Sequence, residues 1–147
     1  MFKRILVATD GSTLSRKAVR AAITLAALHD AQLVALTVVP RYPTSYLDGA
    51  MAFSAEEIAT TEKRWADSAQ AVLDDIVTAA KAKGVDIKSA TMSSDQVAES
   101  VIRAARKHRS DLIVMASHGR KGLKRLLLGS ETQHVLTHSS LPVLVLR

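Results

Sequence analysis

Five short apolar runs, each parted from the next by a stretch of helical periodicity, restrict this fold more than any other feature. They occupy residues 5–8, 32–39, 85–92, 111–117 and 142–146. Adjacent parallel strands need a crossover of a dozen or more residues, and the helical stretches are long enough to supply one. Four of the runs are largely apolar, as in strands covered on both faces, and the third, Val85 to Met92, alternates. The expected fold is therefore α/β: one doubly wound, five-stranded parallel sheet with helices on both sides. With 147 residues, 48% of them hydrophobic, the chain is long enough for one core, and residues 1–147 are expected to form a single domain.

The helical stretches carry their own punctuation. Thr9-Asp10-Gly11-Ser12 is a turn, and Ser12 or Thr13 caps a helix whose inner face is read as Leu14, Ala18, Ala21, Ala22, Leu25 and Leu28. Residues 41–53 lack either period and contain Pro43 and Gly49, which makes them the one long connection. Ser54-Ala55-Glu56-Glu57 spells a capping box for a long helix, with Ile58, Trp65, Ala69, Val72, Leu73, Ile76, Val77 and Ala80 inward, ending at Gly84. Ser93 or Ser94 is expected to start a third helix through Val97, Val101, Ala104 and Ala105, and Ser130 is expected to cap a short fourth helix.

Several function classes fall away on composition. No apolar run approaches the roughly 20 residues a membrane span needs, so a soluble protein without membrane contact is expected. The basic-then-apolar start meets Asp10-Gly11-Ser12 instead of a small-residue cleavage site, and reads as a first strand. The chain has no cysteine, which excludes disulfides and thiolate chemistry and fits a reducing, cytoplasmic setting. The net charge is +6, with basic residues dense between Arg103 and Arg125. Aromatic residues make up 3% of the chain, too few for a base-stacking platform, so no nucleic-acid partner is expected.

In a doubly wound sheet, ligands bind beyond the carboxyl ends of the strands where strand order reverses. Two such ends carry suggestive chemistry. The first is Ala8-Thr9-Asp10-Gly11-Ser12, and the second is the stretch from Met115-Ala116-Ser117-His118-Gly119 to Gly129-Ser130. A strand that empties into a glycine loop and then a helix start offers converging amides and a positive dipole end, which suits a phosphate. The spacing fits neither G-x-x-x-x-G-K-[ST] nor G-x-G-x-x-G. If the first and fourth strands are neighbours, both ends line one crevice.

These residues resemble the universal stress protein family over essentially the whole chain. The likeness rests on Lys3 to Ser12, on Met115 to Gly119, on Gly129-Ser130 and on the closing Leu141 to Leu146. The family's ATP-binding branch is marked by G-x-x-G-x9-G-[ST]; here Gly119, Gly129 and Ser130 fit, and Ala116 stands at the first glycine. The resemblance implies strand order 3-2-1-4-5, ATP as ligand with magnesium arriving on the phosphates, and a homodimer formed by pairing residues 143–146 with a second copy. It implies adenosine contacts at Asp10, Val38 and Met115, with Ala8, Thr9 and Ala116 beside them. The phosphate cradle would be Gly119, Gly129 and Ser130, flanked by His118, Arg120 and Glu131. Of the neighbouring Lys121, Lys124 and Arg125, one or two would neutralise phosphate, and Leu123, Leu126, Leu127 and Leu128 would anchor the loop. Two further departures stand out. Glu131 follows the serine where the family has a small or apolar residue, and is expected to compete with phosphate for amides; Asp95-Gln96-Val97 replaces Gly-x-Pro.

No residue in the motif reads as a base poised for phosphoryl transfer. His118 has no sequence partner that marks a triad, and His134 and His138 share a helix face without a third ligand nearby, a solvated pair on this reading. The expected function is an ATP-binding, nucleotide-dependent sensor or regulatory module in stress response, with at most slow hydrolysis. The alternative is a nucleotide-free dimeric interaction protein of the same fold.

Overall fold

The computed structural model describes residues 1–43, 53–120 and 128–147. The elements run β1 (Arg4–Ala8), α1 (Thr13–His29), β2 (Gln32–Val39), α2 (Ala55–Lys81), β3 (Ile87–Ser93), α3 (Val97–Lys107), β4 (Leu112–Ala116), α4 (Ser130–His138) and β5 (Val143–Leu146). The strands form one sheet in the order β3-β2-β1-β4-β5, and every pair is parallel. The neighbours β1 and β4 thus flank the point where strand order reverses.

Alternating side chains of the central strands build two cores. Toward α1 and α2, Ile5, Val7, Leu33, Ala35, Leu112 and Val114 are buried against those helices. Toward α3 and α4, Leu6, Val34, Leu36, Ile113 and Met115 pack on Val101, Ile102, Ala105 and Val135. Each fully buried aliphatic side chain contributes about 1.5–3 kcal/mol, so burial anchors the central strands and fixes where their carboxyl ends lie.

Several local expectations need correction. The buried seam of α1 is Ser15, Ala18, Val19, Ala22, Ile23 and Ala26, while Leu28 is 76% exposed. Small residues let the helix lie close on the sheet, and Ser15 tolerates burial because its hydroxyl meets that of Thr9 at 2.9 Å. Helix α2 has its capping box, but its buried residues are Ala69, Leu73, Ile76 and Ala80, all in the second half. Ile58 and Trp65 are half-buried, and Trp65 stacks on Tyr42 with centroids 6.1 Å apart. The helix stops at Lys81, and Gly84 at φ +71° lets the Val85 amide return to the Ala80 carbonyl at 3.1 Å. Ser93 ends β3, and Ser94 accepts from the Gln96 amide at 3.0 Å in a local turn instead of capping α3. The cap position of α4 is Gly129, so Ser130 is the first helical residue and not the cap. Most of the connection expected over residues 41–53, and all of residues 121–127, lie outside the described residues.

Candidate functional site

The parallel pairing of β1 with β4 brings the two suggestive loops together. Asp10, two residues past β1, joins them. Its Oδ1 accepts from the Ser12 amide at 2.9 Å, closing an Asx turn, and its Oδ2 accepts from the Arg120 amide at 2.8 Å across the crevice. Burial at the strand end pushes the Asp10 carboxyl up. The opposing hydrogen bonds outweigh it: from the Ser12 hydroxyl and amide, the Arg120 amide and the Ser15 hydroxyl, so Asp10 titrates below its ordinary value. It is a carboxylate at neutral pH, held by both loops.

The glycines make this approach feasible. A β-carbon on Gly119 would sit 2.6 Å from Asp10 Oδ2, closer than real side chains come. A β-carbon on Gly129 would meet His118 Cα and the Ser117 carbonyl oxygen, each at 3.3 Å. The Gly129 amide donates to that carbonyl at 2.8 Å, which folds the start of α4 back onto the end of β4. Gly11 is required for a different reason: its φ is +77°, and the Arg120 guanidinium lies against it, 3.1 Å from where a β-carbon would be.

The floor beside this cradle lies on the α3/α4 side of the sheet. Ala8 and Val38 are only partly buried there, next to Met115 and Met92, so the carboxyl edge presents a small apolar shelf adjoining Asp10. Thr9 and Ala116 turn elsewhere. The Thr9 hydroxyl is engaged by Ser15 and by the Gly11 amide at 3.2 Å. Ala116 is buried, and its carbonyl accepts from the Thr132 hydroxyl at 2.9 Å. The described residues with positive φ do not include Ala116, so a methyl group there carries no backbone penalty. His118 contacts the Ser117 hydroxyl through Nδ1 at 3.1 Å.

Glu131 behaves differently from the expectation. Its Oε2 accepts from the Ala98 amide at 2.7 Å, in the first turn of α3. That helix has no side-chain cap from its own Gln96, so Glu131 supplies a cap from the neighbouring helix and leaves the first-turn amides of α4 to another acceptor. Asp95 likewise has local work, accepting from the Arg41 amide at 3.0 Å and tying the end of β2 to the start of α3. Sequence reasoning passed over Ser15, Ser117 and Thr132, all buried polar residues. The available signal for Thr132 was a hydroxyl one turn inside a helix beside a strand end, where a carbonyl needs a partner.

Fold and crevice together define a doubly wound α/β protein with a glycine-lined cradle at its topological switch point. The sequence profile of the Universal stress protein family matches residues 1–147, and the chain belongs to that family. A universal stress protein of Methanocaldococcus jannaschii is 33% identical over 147 residues, covering 100% of this chain and 83% of the relative. Among solved structures, the universal stress protein UspA from Lactobacillus plantarum superposes with a TM-score of 0.83 at 26% identity, covering 99% of this chain and 97% of the other. A universal stress protein solved in complex with cAMP superposes with a TM-score of 0.72 at 26% identity, covering 99% and 97%.

Proposed function

We propose that this chain is a nucleotide-dependent regulatory module of the stress response that binds ATP in the β1/β4 crevice, with hydrolysis at most slow. One observation carries the reading: Asp10 meets Gly119 across the crevice, with glycine required there by a 2.6 Å approach to a carboxylate, while Gly129 folds the start of α4 onto Ser117 and His118. Adenosine would lie on the shelf of Ala8, Val38 and Met115, with Asp10 accepting from a ribose hydroxyl or the base. The polyphosphate would take the amides at the start of α4, from Ser130 and Glu131, over the Gly129 turn that the Ser117 carbonyl holds, with Arg120 nearby as a cation. Magnesium would travel on the phosphates, as it usually does. The structure solved with cAMP supports an adenine nucleotide as the ligand class. We further propose that residues 1–147 act as one domain in the cytoplasm, and that Val143–Leu146, at the sheet edge with Leu144 37% exposed, pairs with a second copy.

Equilibrium binding to nucleotide-stripped protein tests the reading. Saturable ATP binding below about 1 mM, lost in Asp10→Ala, is the expected result; no saturation in that range rejects it. One observation favours the alternative of a nucleotide-free interaction protein: the Asp10 carboxylate already has two amide partners within the protein. Failure of ATP to bind a chain that still dimerises would establish that alternative.

A further inference from the structure

The topology gathers cations on the α3 side of the sheet, toward the amino ends of the strands. Arg103, Arg106 and Lys107 are exposed on the outer side of α3, and exposed Arg109 follows it. Lys88 alternates with Ala90 and Met92 along β3, which places it on the same face. Arg4 alternates with Leu6 in β1, and its Nη1 donates to the His108 carbonyl at 3.0 Å, which fixes a further charge at the end of α3. His108 stands among these groups: burial first, then the charges of Lys107, Lys88 and Arg4, hold its imidazole below the ordinary value. Among the described residues no carboxylate lies within 4.0 Å of any of these cations; the pairs at that range are Lys63–Asp67 and His134–Glu99. The acids of the same region have other partners. Glu99 meets His134 at 2.8 Å, Asp111 takes the Lys3 and Arg4 amides at 2.7 and 3.1 Å, and Asp86 takes the Gln32 side chain at 2.6 Å. Cations in a last helical turn complement the dipole, which accounts for Arg106 and Lys107 but not for Arg103, Lys88 or Arg4.

We propose that Arg103, Arg106, Lys107 and Arg109, with Lys88, bind the phosphate backbone of double-stranded nucleic acid without reading its sequence. The surface stands apart from the β1/β4 crevice and does not depend on ATP binding. The scarcity of aromatics, which weighs against a nucleic-acid partner, bears on base stacking alone. A duplex backbone needs only cations and hydrogen-bond donors. Arg103 and Lys107 are one turn apart, about 6 Å along the helix axis, and Arg106 lies between them. That density of positive charge suits a duplex, which carries one phosphate per about 1.7 Å of its axis. An acidic membrane fits less well, because it would need an apolar anchor beside the cations. The exposed large apolar side chains among the described residues, such as Leu28 and Leu144, include none from α3 or β3.

Fluorescence anisotropy of a labelled DNA duplex of about 20 base pairs, titrated with the full chain, tests the proposal. Saturable binding is expected, with a Kd on the order of 1 µM at about 50 mM salt and equal affinity for a duplex of unrelated sequence. With about four phosphates contacted, affinity should fall on the order of a hundredfold by about 200 mM salt. Arg103→Gln with Lys107→Gln should lower the slope of log K against log salt by about 2. Arg16→Gln with Lys17→Gln removes the same charge from α1, on the opposite face of the sheet, and should leave that slope unchanged. All four positions are exposed, so circular dichroism should report an unaltered fold in both variants. Three results would overturn the proposal: no saturation by about 0.5 mM protein, equal weakening in the α1 variant, or tighter binding to phosphatidylserine vesicles than to the duplex, which would make the surface a membrane contact.

Discussion

Replacing Gly119 with alanine sets a single methyl group against a single carboxylate. The new β-carbon would lie 2.6 Å from Asp10 Oδ2, and the next contact is Asp10 Cγ at 3.7 Å. Among the described residues no other atom beyond the chain neighbours lies within 4 Å, so the steric cost beyond those neighbours falls on Asp10. To make room the carboxylate must leave the Arg120 amide, which it now meets at 2.8 Å. A hydrogen bond to a charged group contributes about 1.5–3 kcal/mol. Asp10 is only partly buried, and Oδ1 keeps the Ser12 amide as partner, so the lower part of that range applies. Against it stands a gain of about 0.4–1 kcal/mol, because alanine restricts the unfolded chain more than glycine. The net expectation is a loss of about 0.5–1.5 kcal/mol, or a Tm lower by roughly 2–5 °C for a chain of this size. The decisive measurement is a double-mutant cycle by urea unfolding. In an Asp10→Ala background the clash partner is absent, and Gly119→Ala should become neutral or stabilising by about 0.5 kcal/mol. The same cost in both backgrounds would refute the geometry. The Asp10 carboxyl also has a folded pKa below its ordinary 3.8. Its stabilisation is therefore fully present above that value and is lost as pH falls through the lower folded value. Gly119→Ala should flatten the stability profile in that acid window.

Glu131→Ala removes the carboxylate that accepts from the Ala98 amide at 2.7 Å. The expected loss is about 1 kcal/mol, with faster amide exchange confined to the first turn of α3; unchanged exchange at Ala98 would contradict the cross-helix cap. Arg109 follows α3 at φ +53°, a conformation that glycine adopts without penalty, so Arg109→Gly should raise stability by up to about 1 kcal/mol, and a fall in Tm would show that the arginine side chain matters more than its backbone. Gly129→Val would press on backbone atoms at 3.3 Å. It should cost about 1–3 kcal/mol and abolish ATP binding, and an unaltered urea midpoint with intact binding would place the cradle elsewhere.

The sheet was legible because its signals are redundant. The central strands are apolar runs, β3 alternates as an edge strand does, each crossover is helical, and a parallel doubly wound arrangement is the one that satisfies all three. The capping box at Ser54 and the bounds of β2 were equally local, and the structure keeps them. What failed was whatever depended on a neighbour. Of the residues expected on the inner face of α1, Ala18 and Ala22 are buried and the leucines are not; the helix turns Ser15 inward because Thr9, six residues earlier, offers a hydroxyl at 2.9 Å. The start of α3 was assigned to a nearby serine, yet the bond that caps it comes from Glu131, 33 residues later.

Glu131 shows how such an error spreads into function. Taken alone, a carboxylate in the first turn of α4 is drawn to the amides of its own helix, where it would oppose a bound phosphate. The contact to Ala98 reverses that inference. The charge lies on the positive end of α3, so this carboxylate does not take the amides of α4, and the first turn of α4 is fastened to α3 through the same side chain. Any displacement of the Gly129–Ser130 cradle must then pull on α3, whose Glu99 is paired with His134 of α4. The two helices that cover one face of the sheet are thus joined at two points, Glu131 to the Ala98 amide and Glu99 to His134, and coupled movement is the expected consequence. Loss of exchange protection in the first turn of α4 as well as at Ala98 in Glu131→Ala, with α1 unaffected, would be the sign of that coupling, and a loss limited to α3 would leave the contact a cap only.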